Sequence, residues 1–303
     1  MNSVYHRGEI AVQQMAGALT MAEQTGRSVR DYMPQAASDF LANQTFIIIS
    51  TIDGNNRVWA TLLTGAPGFV KPINEQIVRI HISPLQQSQL RSHLNSIKEI
   101  GILAIEPTTR KRMRLNGTAE LHSDGIIVKA EQVYANCPKY IQARDHRRAG
   151  LEQREATVSH TAATWNDKQI RWIQQADTFF IATASPEHKA DASHRGGSPG
   201  FIHVIDNKTL VFPDYAGNSM YNTLGNIYTN PHCGMLFIDY ETGNTMQLTG
   251  KAKILPDSDD LLSTFPGALR LTQFELELSI EWMNANPNAW PMISYSPFNP
   301  KLV

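Results

Sequence analysis

The chain has 303 residues, of which 42% are hydrophobic and 18% are charged, and its formal net charge at pH 7 is −1. This composition is typical of a globular protein with room for two domains, and it argues against a disordered chain, a membrane-embedded chain or a nucleic-acid-binding surface driven by strong net charge. The two cysteines, Cys137 and Cys233, lie far apart, so neither a disulfide framework nor a metal site is predicted.

The N-terminal segment, residues 1–33, is predicted to be helical. Its first residues, "MNSVYHRGEI", place His6, Arg7 and Glu9 where a signal peptide would be apolar. No apolar stretch of the chain approaches membrane-spanning length. We therefore expect a cytoplasmic protein with no membrane partner.

Two long stretches of the chain repeat each other. "FLANQTFIIIST" (40–51) aligns with "WIQQADTFFIAT" (172–183) at an offset of 132 residues, and "RLNGTAE" (114–120) aligns with "QLTGKAK" (247–253) at an offset of 133. One single-residue slip accounts for the difference. We predict two related domains, 34–122 and 166–255, with a connector at 123–165 and a C-terminal segment at 256–303.

Each repeated unit reads as a small antiparallel barrel. A short helix is followed by short apolar runs that are separated by turn signals, whereas parallel strands would need longer crossovers. The connector shows helix-like spacing at Ile127, Ala130, Val133 and Tyr134, and Pro138 is expected to begin a new helix or to kink this one. The connector is therefore predicted to be helical.

The first unit contains a cationic stripe in "PTTRKRMRLNG" (107–117). On a strand, Arg110, Arg112 and Arg114 would share one face. A solvated edge strand is one explanation, and binding of a small phosphorylated molecule is another. Nucleic-acid binding is disfavoured because no aromatic residues are interleaved and the chain is not basic.

The second unit contains two polar segments that could meet an anion. In "DASHRGG" (191–197), Ser193 and Arg195 would share a strand face beside two glycines, an arrangement that suits phosphate, although a surface turn with a solvated arginine is the alternative. In "FPDYAGNSMYNTLGN" (212–226), Asn218, Asn222 and Asn226 recur every four residues. Their amides could meet a phosphate or a sugar-like chain, or they could serve helix capping and loops.

Together these segments resemble the pyridoxamine 5′-phosphate oxidase-like FMN-binding split barrels, in particular two-barrel bacterial flavoproteins. The matching pieces are "YHRGEIAVQ", "TRKRMRLNG", "NCPKYIQ" (136–142), "SHRGGSPGF" and "FPDYAGNSMYNTLGN" followed by "NPHCGMLF". The resemblance covers nearly the whole chain. It implies a mainly β fold with helices (α+β), built as two tandem split β-barrels with FMN at an interface between barrels.

The resemblance also implies a set of cofactor-binding residues. Met220 stands where those oxidases have a lysine, so the phosphate charge would fall to Arg195 and to further cations. The implied cofactor-binding residues are Ser193, Arg195, Gly196, Pro213, Asp214, Asn218, Met220, Asn222 and Gln247, with Arg110, Arg112, Arg114, Lys139 and Gln142 as additional candidates. Lys139 and Tyr140 are the candidate catalytic residues, and the role of Cys137 is open.

The substrate is predicted to differ from that of true pyridoxamine phosphate oxidases. Those enzymes carry an Arg-x-His pair near the C-terminus, whereas this tail, "ANPNAWPMISYSPFNPKLV", has neither residue. We expect an FMN-dependent oxidoreductase acting on an unidentified small molecule, with a reductase or a nicotinamide as electron donor, and a homodimer is compatible with it. A flavin- or haem-binding protein without turnover and a phosphate-ligand sensor are the alternatives.

The first barrel is predicted to have lost its own flavin site. It has Leu63 where the second barrel has Arg195, although both keep a Gly-[Ala/Ser]-Pro-Gly-Phe turn. Such a turn serves the backbone whether or not a ligand is bound. One FMN per chain is expected.

Overall fold

The protein consists mainly of two β-sheets that follow each other along the chain. The computed structural model describes residues 3–94, 97–146, 155–256 and 259–300. The helices are α1 (Arg7–Met15), α2 (Leu19–Gly26), α3 (Gln35–Ala42), α4 (Pro84–Leu94), α5 (Asp167–Gln175), α6 (Asn222–Thr229) and α7 (Asp259–Ser263). Within the described residues, no helix combines the length and the apolarity that crossing a membrane requires.

The first sheet is antiparallel and encloses the first apolar core, which includes Ile47, Leu63 and Met113. Its strand order is β2-β1-β5-β6-β7-β4-β3, where the strands are β1 (Phe46–Ile52), β2 (Val58–Thr64), β3 (Val70–Pro72), β4 (Ile77–Ile80), β5 (Glu99–Glu106), β6 (Lys111–His122) and β7 (Gly125–Ala135). A separate pair of short strands joins β8 (Ala143–Arg144) to the C-terminal strand β17 (Met292–Ser294).

The second sheet encloses a core of its own, which includes Phe179, Phe212 and Phe274. Its strand order is β11-β10-β14-β15-β16-β13-β12, and β9 pairs with β16 off this path. The strands are β9 (Thr157–Ala162), β10 (Thr178–Ala184), β11 (Ala190–Gly196), β12 (His203–Val204), β13 (Thr209–Asp214), β14 (His232–Ile238), β15 (Thr245–Ile254) and β16 (Arg270–Met283).

The two sheets are copies of one architecture. Each strand from β1 to β7 has its counterpart, in the same place of the sheet, in β10 to β16. The registers agree too, because Ser50 pairs with Ala60 in the first sheet and Ala182 pairs with Ala192 in the second, an offset of 132 residues on both strands. The predicted fold class, tandem split β-barrels with additional helices, is confirmed.

The prediction that residues 123–165 form a helical connector is wrong. Much of this segment is strand β7, which pairs with both β6 and β4. The spacing of three between Ala130 and Val133, which suggested a helix, arises from a β-bulge opposite Asn116 and Gly117 that adds a residue to β7. The same bulge recurs between the equivalent strands β15 and β16.

Both barrels extend beyond the boundaries predicted for them. The first continues past residue 122 into β7, and the second continues past residue 255, because β16 lies between β15 and β13. The segment 256–303 therefore supplies an interior strand of the second sheet. Strand β9, from the predicted connector, also joins this sheet through β16.

The barrels pack against each other through a shared apolar cluster. Phe46, Ile48 and Leu103 of the first barrel meet Phe180 and Leu236 of the second, and all five are buried. Full burial of such a side chain stabilises the folded state by roughly 1.5–3 kcal/mol. This cluster is separate from the two barrel cores, so it fixes how the barrels dock.

Two equivalent glycines allow this close docking. A Cβ atom on Gly101 in β5 would lie 2.7 Å from the carbonyl oxygen of Ala190, and a Cβ atom on Gly234 in β14 would lie 2.5 Å from the carbonyl oxygen of Val58. Real Cβ atoms essentially never approach a backbone atom so closely. The barrels could not dock at this distance with side chains at both positions.

The repeated Gly-[Ala/Ser]-Pro-Gly-Phe turn has the same backbone in both barrels. Gly68 and Gly200 have φ angles of 91° and 92°, which side chains rarely adopt. The turn is therefore kept by its backbone geometry, as the sequence suggested, and its presence in the first barrel does not require a ligand there.

We predict that Gly234→Ala lowers the free energy of unfolding by about 1–3 kcal/mol, because the added methyl group overpacks the interface between the barrels. Gly217→Ala is the matched control, since a Cβ atom there would have no neighbour closer than 3.9 Å. Chemical denaturation of both variants measures the difference. Equal stabilities would contradict the close packing described for Gly234.

Candidate functional site

A cationic cleft lies where β6 of the first barrel faces β11 of the second. We call it the basic cleft, and its empty space is about 820 Å³, including the part open to solvent. The start of α6 and the segment after β7 form further walls. Its lining includes the predicted residues Arg112, Arg114, Lys139, Tyr140, Ser193, Arg195, Gly196, Pro213, Asp214, Asn218 and Asn222.

Strand β6 supplies two of the three predicted arginines. Alternation along the strand places Arg112 and Arg114 in the basic cleft, while the residues between and after them enter the first core. Arg110 does not join this row. It precedes β6 with a φ of 56°, and its Nε donates to the carbonyl oxygen of Ile141 at 2.9 Å. The prediction that Arg110 contacts the cofactor is therefore wrong.

Arg114 connects the two barrels through polar contacts. Its Nη1 lies 3.4 Å from Asp191 Oδ1 and donates to Asn222 Oδ1 at 3.0 Å, and its Nη2 donates to Ser193 Oγ. The Arg114 and Asp191 side chains are only 11% and 5% exposed. Removing one partner of such a pair would leave a buried charge uncompensated. Arg114 is therefore held firmly at the edge of the cleft.

Asp214 on β13 is shared by two arginines. Its Oδ1 accepts from Arg195 Nη1 at 2.9 Å, and its Oδ2 accepts from Arg270 Nη1, also at 2.9 Å. One carboxylate between two guanidinium groups leaves one positive charge over. Arg195, the predicted phosphate ligand, is thus in place and only partly neutralised.

Arg112 has no acidic partner among the described residues. Its Nη1 lies 3.3 Å from Nδ1 of His194. Burial, and then the nearby Arg114, lower the pKa of Arg112 to about 9. Burial and the charge of Arg112 lower the pKa of His194 well below its ordinary value, so a neutral ring accepts at Nδ1. The charge of Arg112 is therefore available to an anion.

Several buried donors around the basic cleft lack a hydrogen-bond partner. They are the Nε atoms of Arg112, Arg114 and Arg195 and the Nδ2 atom of Asn136. A buried donor without an acceptor costs about 1–3 kcal/mol. An anionic ligand with several oxygen atoms would offer acceptors to donors of this kind.

Helix α6 points its N-terminus at the same cleft. Tyr221, Asn222 and Thr223 line the cleft, and no side chain caps the helix. Free N–H groups and the helix dipole attract anions to such an end. Asn226, one turn further along, leaves the cleft and contacts His6 Nε2 at 2.9 Å. The predicted row of asparagines is therefore replaced by the end of the helix itself.

The segment after β7 brings an aromatic pair and a cation to the cleft. The rings of Tyr140 and Tyr215 have centroids 5.1 Å apart. Burial raises the pKa of Tyr140, so its hydroxyl stays protonated at neutral pH. Lys139 also lines the cleft, with its ammonium 5.7 Å from the ring centroid of Phe298.

Three residues of the cleft lining have strained backbones. Tyr140, Ser219 and Tyr221 have φ angles of 65°, 63° and 59°. Each such conformation costs on the order of 1–3 kcal/mol in a residue other than glycine, and such residues concentrate at functional sites. The strain favours a functional role for this cleft.

Gln142 lies outside the basic cleft, so its predicted contact with the cofactor is wrong. Its side chain is buried. Nε2 donates to the carbonyl oxygen of Gly197 at 3.0 Å, and Oε1 accepts from the backbone N–H of Ser296 at 2.7 Å. Gln142 therefore fastens the end of β11 to the C-terminal segment.

Met220 is a second wrong prediction. Its side chain is buried beside Tyr5, Ala22 and Tyr134, under the N-terminal helices. Its carbonyl oxygen accepts from Gln13 Nε2 at 3.0 Å. The position that would carry the usual lysine instead anchors the loop before α6.

Gln247 lies in a different cleft, which β2 and β15 form, and its predicted place beside the flavin motif is wrong. Its Nε2 donates to the carbonyl oxygen of Ala60 at 2.8 Å and to Thr61 Oγ1 at 2.9 Å, and its Oε1 accepts from Trp282 Nε1 at 2.8 Å. We call this second site the neutral cleft.

A buried carboxyl group that the sequence analysis did not identify adjoins the basic cleft. Glu9 Oε2 accepts from the backbone N–H of His6 at 2.8 Å as part of the capping box of α1, and Oε1 accepts from Asn222 Nδ2. Burial raises the pKa of Glu9 from 4.5 to about 7. Glu9 and Arg114 thus share the side chain of Asn222.

The comparisons with known proteins agree on one family. The sequence profile described as "Pyridoxamine 5′-phosphate oxidase" matches residues 166–275. No curated protein matches the chain.

Several solved structures are similar to part of the chain. An FMN-binding protein from Syntrophomonas wolfei has 10% identity and a TM-score of 0.29, with 38% of this chain and 84% of that chain covered. A Clostridium acetobutylicum protein of the pyridoxinephosphate oxidase family has 11% identity and a TM-score of 0.29, with 42% and 92% covered. HutZ, a heme storage protein from Vibrio cholerae, has 13% identity and a TM-score of 0.30, with 38% and 94% covered.

We predict that Glu9→Gln flattens the pH dependence of stability. Because folding raises the pKa of Glu9, the contribution of its proton is fully present below pH 4.5 and is lost as the pH rises through 7. The loss amounts to about 3 kcal/mol at 1.36 kcal/mol per pKa unit. Glutamine stays neutral and can still complete the capping box.

Chemical denaturation between pH 4 and pH 8 measures this effect. The variant should gain stability over the wild type as the pH rises, whereas the exposed control Glu23→Gln should follow the wild type. A Glu9→Gln curve parallel to that of the wild type would show that Glu9 titrates normally.

Proposed function

With residues 166–275 identified as a member of the pyridoxamine 5′-phosphate oxidase-like split-barrel family, we propose that the protein is an FMN-dependent oxidoreductase acting on a small molecule. The observation that carries this proposal is the basic cleft. There the uncompensated Arg112, the row that it forms with Arg114, and the uncapped N-terminus of α6 converge at the boundary between the barrels.

The charges of the cleft suit a phosphate monoester. Arg112 and Lys139 have no printed acidic partner, whereas Arg114 is paired with Asp191. A phosphate monoester carries about −1.5 to −2 charges at pH 7 and three acceptor oxygens. The unpaired Nε donors described above supply hydrogen bonds for those oxygens. The phosphate of FMN would therefore be held by Arg112, Arg114 and Arg195, with the α6 N–H groups beside them.

The remaining walls suit a flat ring. Tyr140 and Tyr215 present adjacent aromatic faces, and Phe201 also lines the cleft. FMN, when bound, would supply the transfer of electrons or hydride, so the protein needs no nucleophile of its own. The chain's own residues bind and orient: the arginines fix the phosphate end, and the tyrosines flank the ring.

Proton handling would fall to the segment after β7. Lys139 and Tyr140 are the candidate donors, because both line the cleft and Tyr140 keeps its proton at neutral pH. The Tyr140 hydroxyl donates to the carbonyl oxygen of Ala216 at 3.1 Å, which fixes its orientation. A nicotinamide or a reductase would supply the electrons.

A phosphate-ligand protein without flavin is the second candidate, because the cationic groups recognise any phosphate monoester. Haem binding fits less well, since the Nδ1 of His194, the histidine of the cleft, lies 3.3 Å from Arg112 Nη1. The absorption spectrum of the purified protein decides among the three. A flavin spectrum supports the proposal, and a haem Soret band or a colourless protein that FMN does not bind would contradict it.

We predict that Arg112→Gln weakens FMN binding by about ten- to a hundredfold, because a charge-assisted hydrogen bond contributes roughly 1.5–3 kcal/mol. Lys111→Gln is the matched control, since Lys111 is the exposed neighbour on the same strand. Titration of the apoprotein with FMN measures both affinities. Equal dissociation constants for Arg112→Gln and wild type would remove Arg112 from the phosphate site.

We predict about one FMN per chain, because burying a phosphate in the neutral cleft would leave its charge unpaired. Protein saturated with FMN and passed through gel filtration should release flavin and polypeptide in equal amounts on denaturation. A ratio near two would show that the neutral cleft also binds FMN.

A further inference from the structure

The neutral cleft occupies the position that the internal repeat makes equivalent to the basic cleft. Strands β2 and β15 form it, in the places that β11 and β6 take in the basic cleft. Its empty space is about 1280 Å³ including the part open to solvent, compared with about 820 Å³ for the basic cleft. The equivalent site has therefore stayed open, although its cations are absent.

The cationic positions of the basic cleft have neutral counterparts here. At an offset of 133 residues, Thr245 takes the position of Arg112 and Gln247 takes that of Arg114. At an offset of 132, Leu63 takes the position of Arg195 and is buried in the first core.

The described lining of the neutral cleft contains no lysine, arginine or histidine, and its one charged residue is the exposed Glu155. Bringing a charged group into such a cleft would cost it hydration without a partner of opposite charge. The cleft therefore selects against ions.

The walls of the neutral cleft combine apolar and hydrogen-bonding surfaces. Leu62 and Leu85 contribute apolar area, and Gln89 and Thr64 add neutral polar groups. The carboxamide of Gln247 is fixed by its three hydrogen bonds, so this wall is organised before a ligand arrives. Small-molecule sites typically combine apolar walls with a few placed polar groups.

We propose that the neutral cleft binds an uncharged heteroaromatic molecule of about the size of an isoalloxazine ring. The neutrality of the ligand follows from the lining. The ring type rests on the proposed function, because the neutral cleft is formed by the same pair of strands that would hold FMN in the basic cleft.

Riboflavin is the probe, since it carries the isoalloxazine ring without the phosphate. Equilibrium dialysis of FMN-saturated protein against riboflavin should show about one bound riboflavin per chain in addition to FMN. Leu85→Trp should fill the cleft and weaken riboflavin binding by about tenfold or more, as overpacking of a site does. Ser88→Trp, at an exposed position of the same helix outside the lining, is the matched control.

The outcomes separate this inference from the proposed function. Riboflavin binding that is lost in Leu85→Trp and kept in Arg112→Gln supports the neutral cleft, even if FMN does not bind at all. FMN uptake by the wild type with no bound riboflavin, or riboflavin binding unchanged in Leu85→Trp, would overturn the inference and leave the proposed function standing.

Discussion

The basic cleft depends on one buried contact between the barrels, that of Arg114 with Asp191. Each charge is removed from water, and each is compensated only when both barrels are docked. Asn222 continues the contact to Glu9, so helix α1 belongs to the same arrangement. Docking of the barrels, placement of the N-terminal helix and shape of the cleft are therefore one structural problem with one solution.

The fold was largely predictable because the chain contains it twice. Comparing the two copies revealed the repeat and the position of the single-residue slip, and the paired registers bear both out. The boundaries failed where the pattern was read locally. A β-bulge changes the alternation of buried residues in β7 to a spacing of three, which cannot be told from a helical turn without knowing the partner strand.

The site was predictable where its residues follow a strand, and it was not where they depend on packing. Arg112 and Arg114 followed from alternation along β6, and Ser193 and Arg195 from alternation along β11. The alternation of β11 could also have indicated Asp191. Arg270 carries no such signal, because it reaches Asp214 only through the pairing of β13 with β16. Met220 was misassigned because a resemblance identifies a position and not the direction of its side chain.

The matching registers of the two sheets have a consequence for how such a protein can change. In a homodimer of identical barrels, every substitution alters both clefts at once, so neither site can be modified while the other is preserved. Joining the copies in one chain removes this constraint. Leu63 and Arg195 occupy the same place in the two barrels but are encoded separately, so one cleft could lose its charge while the other kept it.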